Sequence, residues 1–248
     1  LAELDLVRRD DSLTWGLGRG CIALGDAART ADAALRISST HAEELSCSHS
    51  LTTAVSIRDG DRTRVASIFG GGNTAAPRTH AGDSIGLIPP FGASFIAWST
   101  DEEITNWLHR ARPALDDAEV SRYRIALEAV RERGFSITVP SDPQLRFAAA
   151  LERIGDDPTA QDQINEILGE IAHSDYLTAE LTPTGPVRVT QLSSPVFDAA
   201  GHVVSSIMAM GPDRELTTDE AMALGRLVLD ASTRATQSLG GQRPDRLR

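Results

Sequence analysis

An Asp-Gly pair between two alternating apolar segments constrains the fold more than any other feature of this sequence. β-Forming residues alternate over 51–57 and again over 63–69, and Asp59-Gly60 lies between the two segments. Glycine supplies the positive φ that a short hairpin turn requires, so the pattern predicts two antiparallel strands joined by a tight turn. Gly70-Gly71-Gly72-Asn73 is expected to end the second strand.

A second hairpin is predicted towards the C-terminal end of the chain. Residues 187–192 and 195–197 carry extended patterns, and residues 203–210 return as a strand. Between them, Asp198-Ala199-Ala200-Gly201 has the residue types of a turn. We expect this hairpin, which extends over 195–212, to organise the sheet.

Helices are predicted before, between and after the hairpins. Apolar residues recur at helical spacing from 17 to about 49, and Gly25 is expected to separate two helices there. Capping patterns predict helix starts at Thr100, Asp116 and Thr217, because these side chains can accept a hydrogen bond from the first helical turn. Strands in hairpins with helices around them indicate an α+β fold, an antiparallel sheet with helices packed on its faces.

Two further segments bear on a binding site. A third strand near 84–87 leads into Pro89-Pro90-Phe91-Gly92, a loop that is expected to open a buried helix over 93–98. Residues 140–180 have a polar helical pattern that is interrupted at 156–158. The apolar stripe of this segment consists of Ile164, Ile167, Leu168 and Ile171.

The charge of the chain excludes several classes of function. The net charge is −11, whereas wrapping nucleic acid or an anionic membrane requires a clustered positive face. All 24 basic residues are arginine, which excludes phosphate loops ending in Gly-Lys and Schiff-base lysines. With no long apolar run and no signal-peptide pattern, we expect a cytoplasmic protein without a membrane span.

No catalytic, metal or cofactor site is predicted. None of the six histidines pairs with a carboxylate at metal-ligand spacing. Cys21 and Cys47 are interpreted as small buried apolar residues, and no Gly-x-Ser-x-Gly motif is present. Ser94 is the one serine to consider for a small hydrolase, and a small residue at a tight helix–sheet contact is the simpler interpretation. We therefore expect a protein that is not an enzyme.

Three stretches together resemble the IclR family of bacterial transcription regulators. Residues 6–18, with Leu-Val-Arg-Arg-Asp-Asp-Ser-Leu-Thr-Trp, look like the family's DNA-binding wing joined to its linker helix. Residues 54–61 are similar to its first sensor hairpin, and residues 194–212 to its closing hairpin. The resemblance covers most of residues 1–241, and the closing hairpin is its most specific part.

The resemblance implies a GAF-like effector domain that self-associates as a dimer or tetramer. It assigns residues 1–17 to the remnant of a winged helix-turn-helix, 18–241 to the linker helix and effector-binding domain, and 242–248 to a disordered tail. Leu1 would fall near the end of the recognition helix, so operator DNA would be read by an N-terminal segment missing from the chain. A stand-alone GAF-like module that regulates a partner protein is the alternative.

In the family the effector lies between the sheet and the loop that opens the central helix. The ligand-binding residues implied here are Pro90, Phe91, Gly92, Ser141, Pro195, Met208 and Met210. The loop lacks the lysine usual in the family, and the two methionines replace small polar residues. They either fill the core or line an adaptable apolar pocket. These departures favour an effector that is larger and more apolar than a small carboxylate, while the long 140–192 connection either covers the pocket or extends an oligomer contact.

Overall fold

The computed structural model describes residues 1–10, 13–72, 74, 79–141, 143, 146, 160–173 and 185–244. The strands are β1 (Val7–Arg9), β2 (Trp15–Leu17), β3 (Thr53–Asp59), β4 (Arg62–Phe69), β5 (Ser84–Gly86), β6 (Ser136–Thr138), β7 (Gln191–Phe197) and β8 (Val203–Met210). The helices are α1 (Gly20–Ala31), α2 (Ala33–His49), α3 (Ala93–Ile96), α4 (Asp101–Leu108), α5 (Asp117–Arg133), α6 (Ala160–Ala172) and α7 (Thr218–Ser238). Within these ranges, no helix has the length and apolar character that crossing a membrane requires.

Six strands form one antiparallel sheet in the order β5-β4-β3-β8-β7-β6. The two predicted hairpins, β3-β4 and β7-β8, are both present and meet at the centre, where Ala54 pairs with Met208 and Ser56 with Ser206. The α+β prediction is therefore confirmed.

The residues predicted to form each turn do so. Gly60 has a φ of 63° in the turn between β3 and β4. In the closing hairpin Gly201 has a φ of 81°, and Asp198 Oδ1 accepts hydrogen bonds from the backbone N–H groups of Ala200 and His202 at 2.9 and 2.8 Å. An aspartate side chain that satisfies its own turn in this way stabilises the chain reversal.

Helices α2 and α7 pack on one face of the sheet, which we call the outer face. Their apolar residues join those of the strands in a continuous core that includes Val55, Leu192, Ile207, Leu45 and Val228. Helix α3 packs against β7 and β8. Because α2 and α7 occupy the outer face, α3 covers the opposite one, the inner face.

The expected break at Gly25 is wrong. Gly25 lies inside α1, and the chain bends at Asp32, whose ψ of 101° is extended. The Asp32 carboxylate accepts a hydrogen bond from the Leu35 N–H at 2.9 Å and so caps α2. A side-chain cap therefore sets this boundary, since one glycine within a helix costs only about 1 kcal/mol.

The predicted starts of α4, α5 and α7 are confirmed. Asp116 and Thr217 each form a complete capping box with a glutamate three residues later. Thr100 Oγ1 accepts a hydrogen bond from the Glu103 N–H at 3.3 Å. Gly134, with a φ of 89°, ends α5 in the left-handed conformation typical of helix C-termini.

The N-terminal segment forms a small hairpin, in which β1 pairs with β2 from Val7–Leu17 to Arg9–Trp15. One interpretation is wrong here: Cys21 is only half-buried and Cys47 is exposed, because α2 turns the Cys47 side chain away from the sheet.

Helix α6 lies within the described part of the long 140–192 connection. The predicted interruption at 156–158 and the side chain of Ile164 lie outside the described residues. Ile167 and Ile171 are buried, as the predicted apolar stripe requires. Of the predicted tail, 245–248 also lies outside the described residues, while the Arg243 guanidinium lies 5.5 Å from the Trp98 ring centroid.

Candidate functional site

On β7 and β8, the inner face of the sheet is slightly less buried than the outer face. Along β8, Met208 and Met210 on the inner face keep 7% and 4% exposure, whereas Ile207 and Ala209 on the outer face have 0%. Along β7, Ser193 keeps 5% exposure, while its outer-face neighbour Leu192 has 0%. Adjacent residues of one strand thus differ according to the face they occupy. At Met208, Met210 and Ser193 the inner face therefore keeps slightly more solvent exposure than the outer face.

Cross-strand register defines the residues of the inner face. Around Met208 and Ser193 they are Ala54, Ser56, Ser136, Thr138, Gln191, Ser193, Pro195, Ser206, Met208 and Met210. None of these side chains is ionisable. A ligand on this face therefore meets hydroxyl, amide, thioether and methyl groups, with no charged partner among them.

Hydroxyl groups cluster where β6 and β7 pair. Ser136 Oγ lies 2.6 Å from Ser193 Oγ, and Thr138 Oγ1 donates a hydrogen bond to the Gln191 carbonyl oxygen at 3.0 Å. On β8, Ser206 Oγ donates to the Ser194 carbonyl oxygen at 3.1 Å. These bonds fix the hydroxyl oxygens on rigid strands, as a binding surface requires.

The two methionines form an apolar patch beside these hydroxyls. Met208 and Met210 cluster with Ala54 and with the partly buried Val65 and Ile68. Gln191 Nε2 donates a hydrogen bond to Met208 Sδ at 3.3 Å. The thioether is held by a weak bond, and such side chains adapt readily to the shape of a neighbour.

The loop that opens α3 has a defined backbone. The Pro89–Pro90 peptide bond is cis, and Gly92 has a φ of 81°. A Cβ at Gly92 would lie 2.1 Å from Leu87 Cδ2, so this position requires glycine. Trp107 Nε1 on α4 donates a hydrogen bond to the Phe91 carbonyl oxygen at 3.0 Å. The close approach of Leu87 to Gly92 and the hydrogen bond from Trp107 to Phe91 thus both fix the start of α3.

Phe91 packs under α6. Its ring belongs to the cluster formed by Ile167 and Ile171, together with Ile85 and Leu168. The C-terminal end of α6 is attached to α5, because Tyr123 Oη donates to the Ala172 carbonyl oxygen at 2.7 Å and His173 pairs with Glu119. Helix α6 therefore lies over the loop implied to frame the ligand.

Six of the seven predicted site residues fall into two groups. Pro195, Met208 and Met210 share the inner face, with Pro195 paired to Ser206. Pro90, Phe91 and Gly92 form the loop before α3, where the Phe91 ring packs against α6 and not in the cluster of the two methionines. Ser141, half-buried, follows β6.

Sequence reasoning missed the polar residues of the inner face. Ser136 and Thr138 alternate on β6, and Gln191 and Ser193 alternate on β7, so each pair points to one side of the sheet. This period of two is visible in the sequence. Only the pairing of β6 with β7, which are distant in the chain, brings the four side chains together.

Perturbed pKa values occur near the two ends of α5, away from the inner face. Burial raises the pKa of Glu119, but hydrogen bonds from the Asp116 backbone N–H and the His173 ring lower it by more, so the net pKa is below normal. Burial lowers the pKa of Arg133 to about 10. No three His, Cys, Asp or Glu side chains come together as a metal site in the part of the chain that is described.

One cluster has the Glu–His–Ser arrangement of a catalytic triad but lacks an oxyanion hole beside its serine. His41 lies between Glu44 Oε2, at 3.1 Å from Nδ1, and Ser238 Oγ, at 3.3 Å from Nε2. Ser238 is exposed in the last turn of α7, where unpaired backbone groups are carbonyls and not the N–H donors of an oxyanion hole. Ser94, the serine considered for hydrolysis, is 4% exposed at the start of α3.

Two surface cavities lie along α2, and neither includes a predicted ligand-binding residue. One, of about 430 Å³, is lined by Glu44, Leu45, Ser48, His49, Leu227, Asp230 and Arg234. The other, of about 550 Å³, lies between α2 and β4 and includes Leu35, Arg36, Ser39, Glu43, Ala66 and Phe69. The inner face is a better candidate, since its rigid hydroxyl groups adjoin an adaptable apolar surface.

Solved structures similar to this chain are bacterial regulators. An IclR transcriptional regulator from Alicyclobacillus acidocaldarius has a TM-score of 0.65 and 16% identity, over 97% of this chain and 82% of that chain. Thermotoga maritima IclR has a TM-score of 0.61 and 16% identity, over 97% and 82%. Pseudomonas aeruginosa HmgR has a TM-score of 0.62 and 18% identity, over 97% and 81%. No protein-family model and no curated protein matches the sequence. The chain therefore has the fold of IclR-family regulator structures.

Proposed function

We propose that this chain is the small-molecule effector-binding and oligomerisation domain of an IclR-type DNA-binding transcription regulator. The observation that carries the proposal is the difference between the two faces of the sheet. At β7 and β8 the outer face is fully buried under α2 and α7, whereas the inner face keeps some solvent exposure at Met208, Met210 and Ser193. The protein acts by binding and not by catalysis.

The ligand would lie between the inner face and the loop of Pro90, Phe91 and Gly92. Met208, Met210 and Pro195 would form its floor, and Ser141 its margin. Two thioethers and the absence of charge on the inner-face residues of β6, β7 and β8 favour a ligand more apolar than a small carboxylate. No cofactor or metal is needed for this role.

DNA would be bound by a winged helix-turn-helix to which residues 1–17 belong. The chain itself has a net charge of −11 and is unsuited to holding a phosphate backbone. In a dimer or tetramer in the cytoplasm, effector binding would shift the population of arrangements of two such DNA-binding units.

Methionine methyl NMR tests the proposed site, because the chain provides its own control. It has three methionines, and the third, Met222 on α7, packs against the outer core. Titration with small acids and with aromatic and lipid-like metabolites should identify a ligand that shifts Met208 and Met210 and leaves Met222 in place. A ligand that shifts Met222 alone, or a tight preference for small anions, would contradict the proposal.

A further inference from the structure

The hydrogen-bonding state of the inner face restricts the chemistry of its ligand. A serine or threonine hydroxyl has one hydrogen to donate and two lone pairs to accept with. The hydrogens of Thr138 and Ser206 are both used in bonds to strand carbonyl oxygens, at 3.0 and 3.1 Å. Each of these hydroxyls can still accept, but neither can donate to a ligand without giving up its present bond.

The Ser136–Ser193 pair is in the same state. Ser136 Oγ lies 3.4 Å from the Ser193 carbonyl oxygen, to which it donates, and 2.6 Å from Ser193 Oγ. With the Ser136 hydrogen on that carbonyl, the short bond between the two hydroxyls uses the Ser193 hydrogen. Both side chains then present only lone pairs, so this pair is an acceptor site between β6 and β7.

A carboxylate is poorly matched to such a surface. It needs several N–H or O–H donors when it leaves water, and none of the inner-face residues of β6, β7 and β8 around the serine pair carries a charge. The side-chain amide on this face, Gln191 Nε2, uses one of its two hydrogens on Met208 Sδ, which leaves a single N–H where a carboxylate needs several donors. A ligand that brings its own hydrogen satisfies the surface at no such cost.

We propose that the inner face binds an uncharged hydroxyl compound. Its O–H donates to the Ser136–Ser193 pair, and its aromatic or branched aliphatic body packs on Met208 and Met210. This assignment rests on the proposed function and adds the chemical class of the effector to it.

Three probes of one skeleton separate the possibilities: phenethyl alcohol, its methyl ether and phenylacetate. The alcohol donates a hydrogen bond, the ether can only accept, and the acid is an anion. Calorimetry on the full chain, with methionine methyl NMR to locate binding, should show the alcohol binding at least tenfold more tightly than the ether. Phenylacetate should leave the Met208 and Met210 signals unchanged.

Two serine variants test which groups accept the bond. Ser193→Ala and Ser136→Ala should each bring the ratio of ether to alcohol dissociation constants close to one, while Met208 still reports binding of both. Ser205→Ala is the matched control, because Ser205 is buried on the outer face and bonds to Ser38 at 2.7 Å. It should keep the preference for the alcohol.

The outcomes distinguish failure of the hydroxyl assignment from failure of the proposed effector site. Binding of the ether or of phenylacetate as tight as that of the alcohol, still at Met208 and Met210, would overturn the hydroxyl assignment and leave the effector site standing. A preference that persists in both serine variants would also overturn it. If no probe and no metabolite in the wider panel shifts Met208 or Met210, both the assignment and the proposed effector site fail.

Discussion

The hydroxyl of Tyr123 on α5 donates a hydrogen bond to the carbonyl oxygen of Ala172 at the end of α6, over 2.7 Å. Tyr123→Phe keeps the buried ring and leaves that carbonyl without this donor. We expect a loss of about 1–2 kcal/mol in the free energy of unfolding, which urea denaturation would measure. Hydrogen exchange should accelerate in α6 and stay unchanged in α4. If hydrogen exchange accelerated equally in α4 and α6, the result would contradict the inference that this bond attaches α6 locally to α5.

Glu119 and His173 make the neighbouring attachment pH-dependent. The net pKa of Glu119 in the folded protein is below its ordinary value of 4.5, so its stabilisation is present above that value and is lost as the pH falls through the folded-state pKa. Glu119→Gln should therefore be less stable than the wild type at neutral pH, and the difference should narrow below about pH 4.5.

Glu132→Gln is the control for this pH dependence. Glu132 is exposed on the same helix, and the substitution removes one carboxylate without touching His173. Its stability should follow the wild-type curve at every pH. Urea unfolding from neutral to acid pH would measure the free energy of unfolding of each protein. If that free energy depended on pH in the same way for the wild type and Glu119→Gln, the result would contradict the Glu119–His173 attachment.

Gly225 on α7 lies against the ring of Phe135. A Cβ there would be 2.1 Å from Phe135 Cε2, in a sealed core where the ring has little room to move. The helical preference for alanine is worth at most about 1 kcal/mol, whereas overpacking of this kind costs about 2 kcal/mol or more. Gly225→Ala should thus be destabilised in thermal unfolding. Gly71→Ala, with open space around its Cβ, should be close to neutral.

Asp32 caps α2 at the bend after α1. Asp32→Ala should lower the free energy of unfolding by about 1 kcal/mol, and Asp32→Asn should recover most of it, since asparagine also accepts the Leu35 N–H bond. Chemical denaturation of the three proteins measures both effects. A loss in Asp32→Asn as large as in Asp32→Ala would show that charge, and not capping, matters at this bend.

Local signals predict most of the fold, because turns and caps act over a few residues. In each of these signals the interacting residues are at most four positions apart in the sequence. This holds for the turns at Asp59-Gly60 and Asp198–Gly201 and for the capping boxes at Asp116 and Thr217. The bend at Asp32 is equally local. A glycine is the usual signal for a helix end, and it led to the prediction of a boundary at Gly25. The boundary between α1 and α2 is set by the hydrogen bond from the Leu35 N–H to the Asp32 carboxylate.

The candidate site is less predictable, since its parts come from distant segments. Met208 and Met210 are recognisable as one face of a strand, but the hydroxyls of Ser136 and Ser193 meet only after β6 pairs with β7. The contact of Phe91 with Ile167 and Ile171 also joins separate segments. Neither spacing nor residue type indicates which distant segments of a chain will become neighbours.

The pairing of β3 with β8 joins an early strand of the domain to one of the last. During synthesis the β3-β4 hairpin emerges long before its central neighbour exists, so one edge of β3 stays open until the closing hairpin arrives. Such distant pairings slow folding, and an open apolar edge can add a strand from another chain. Ribosome stalling or truncation before β8 would therefore leave a nascent chain prone to aggregation, although every residue of its first hairpin is present.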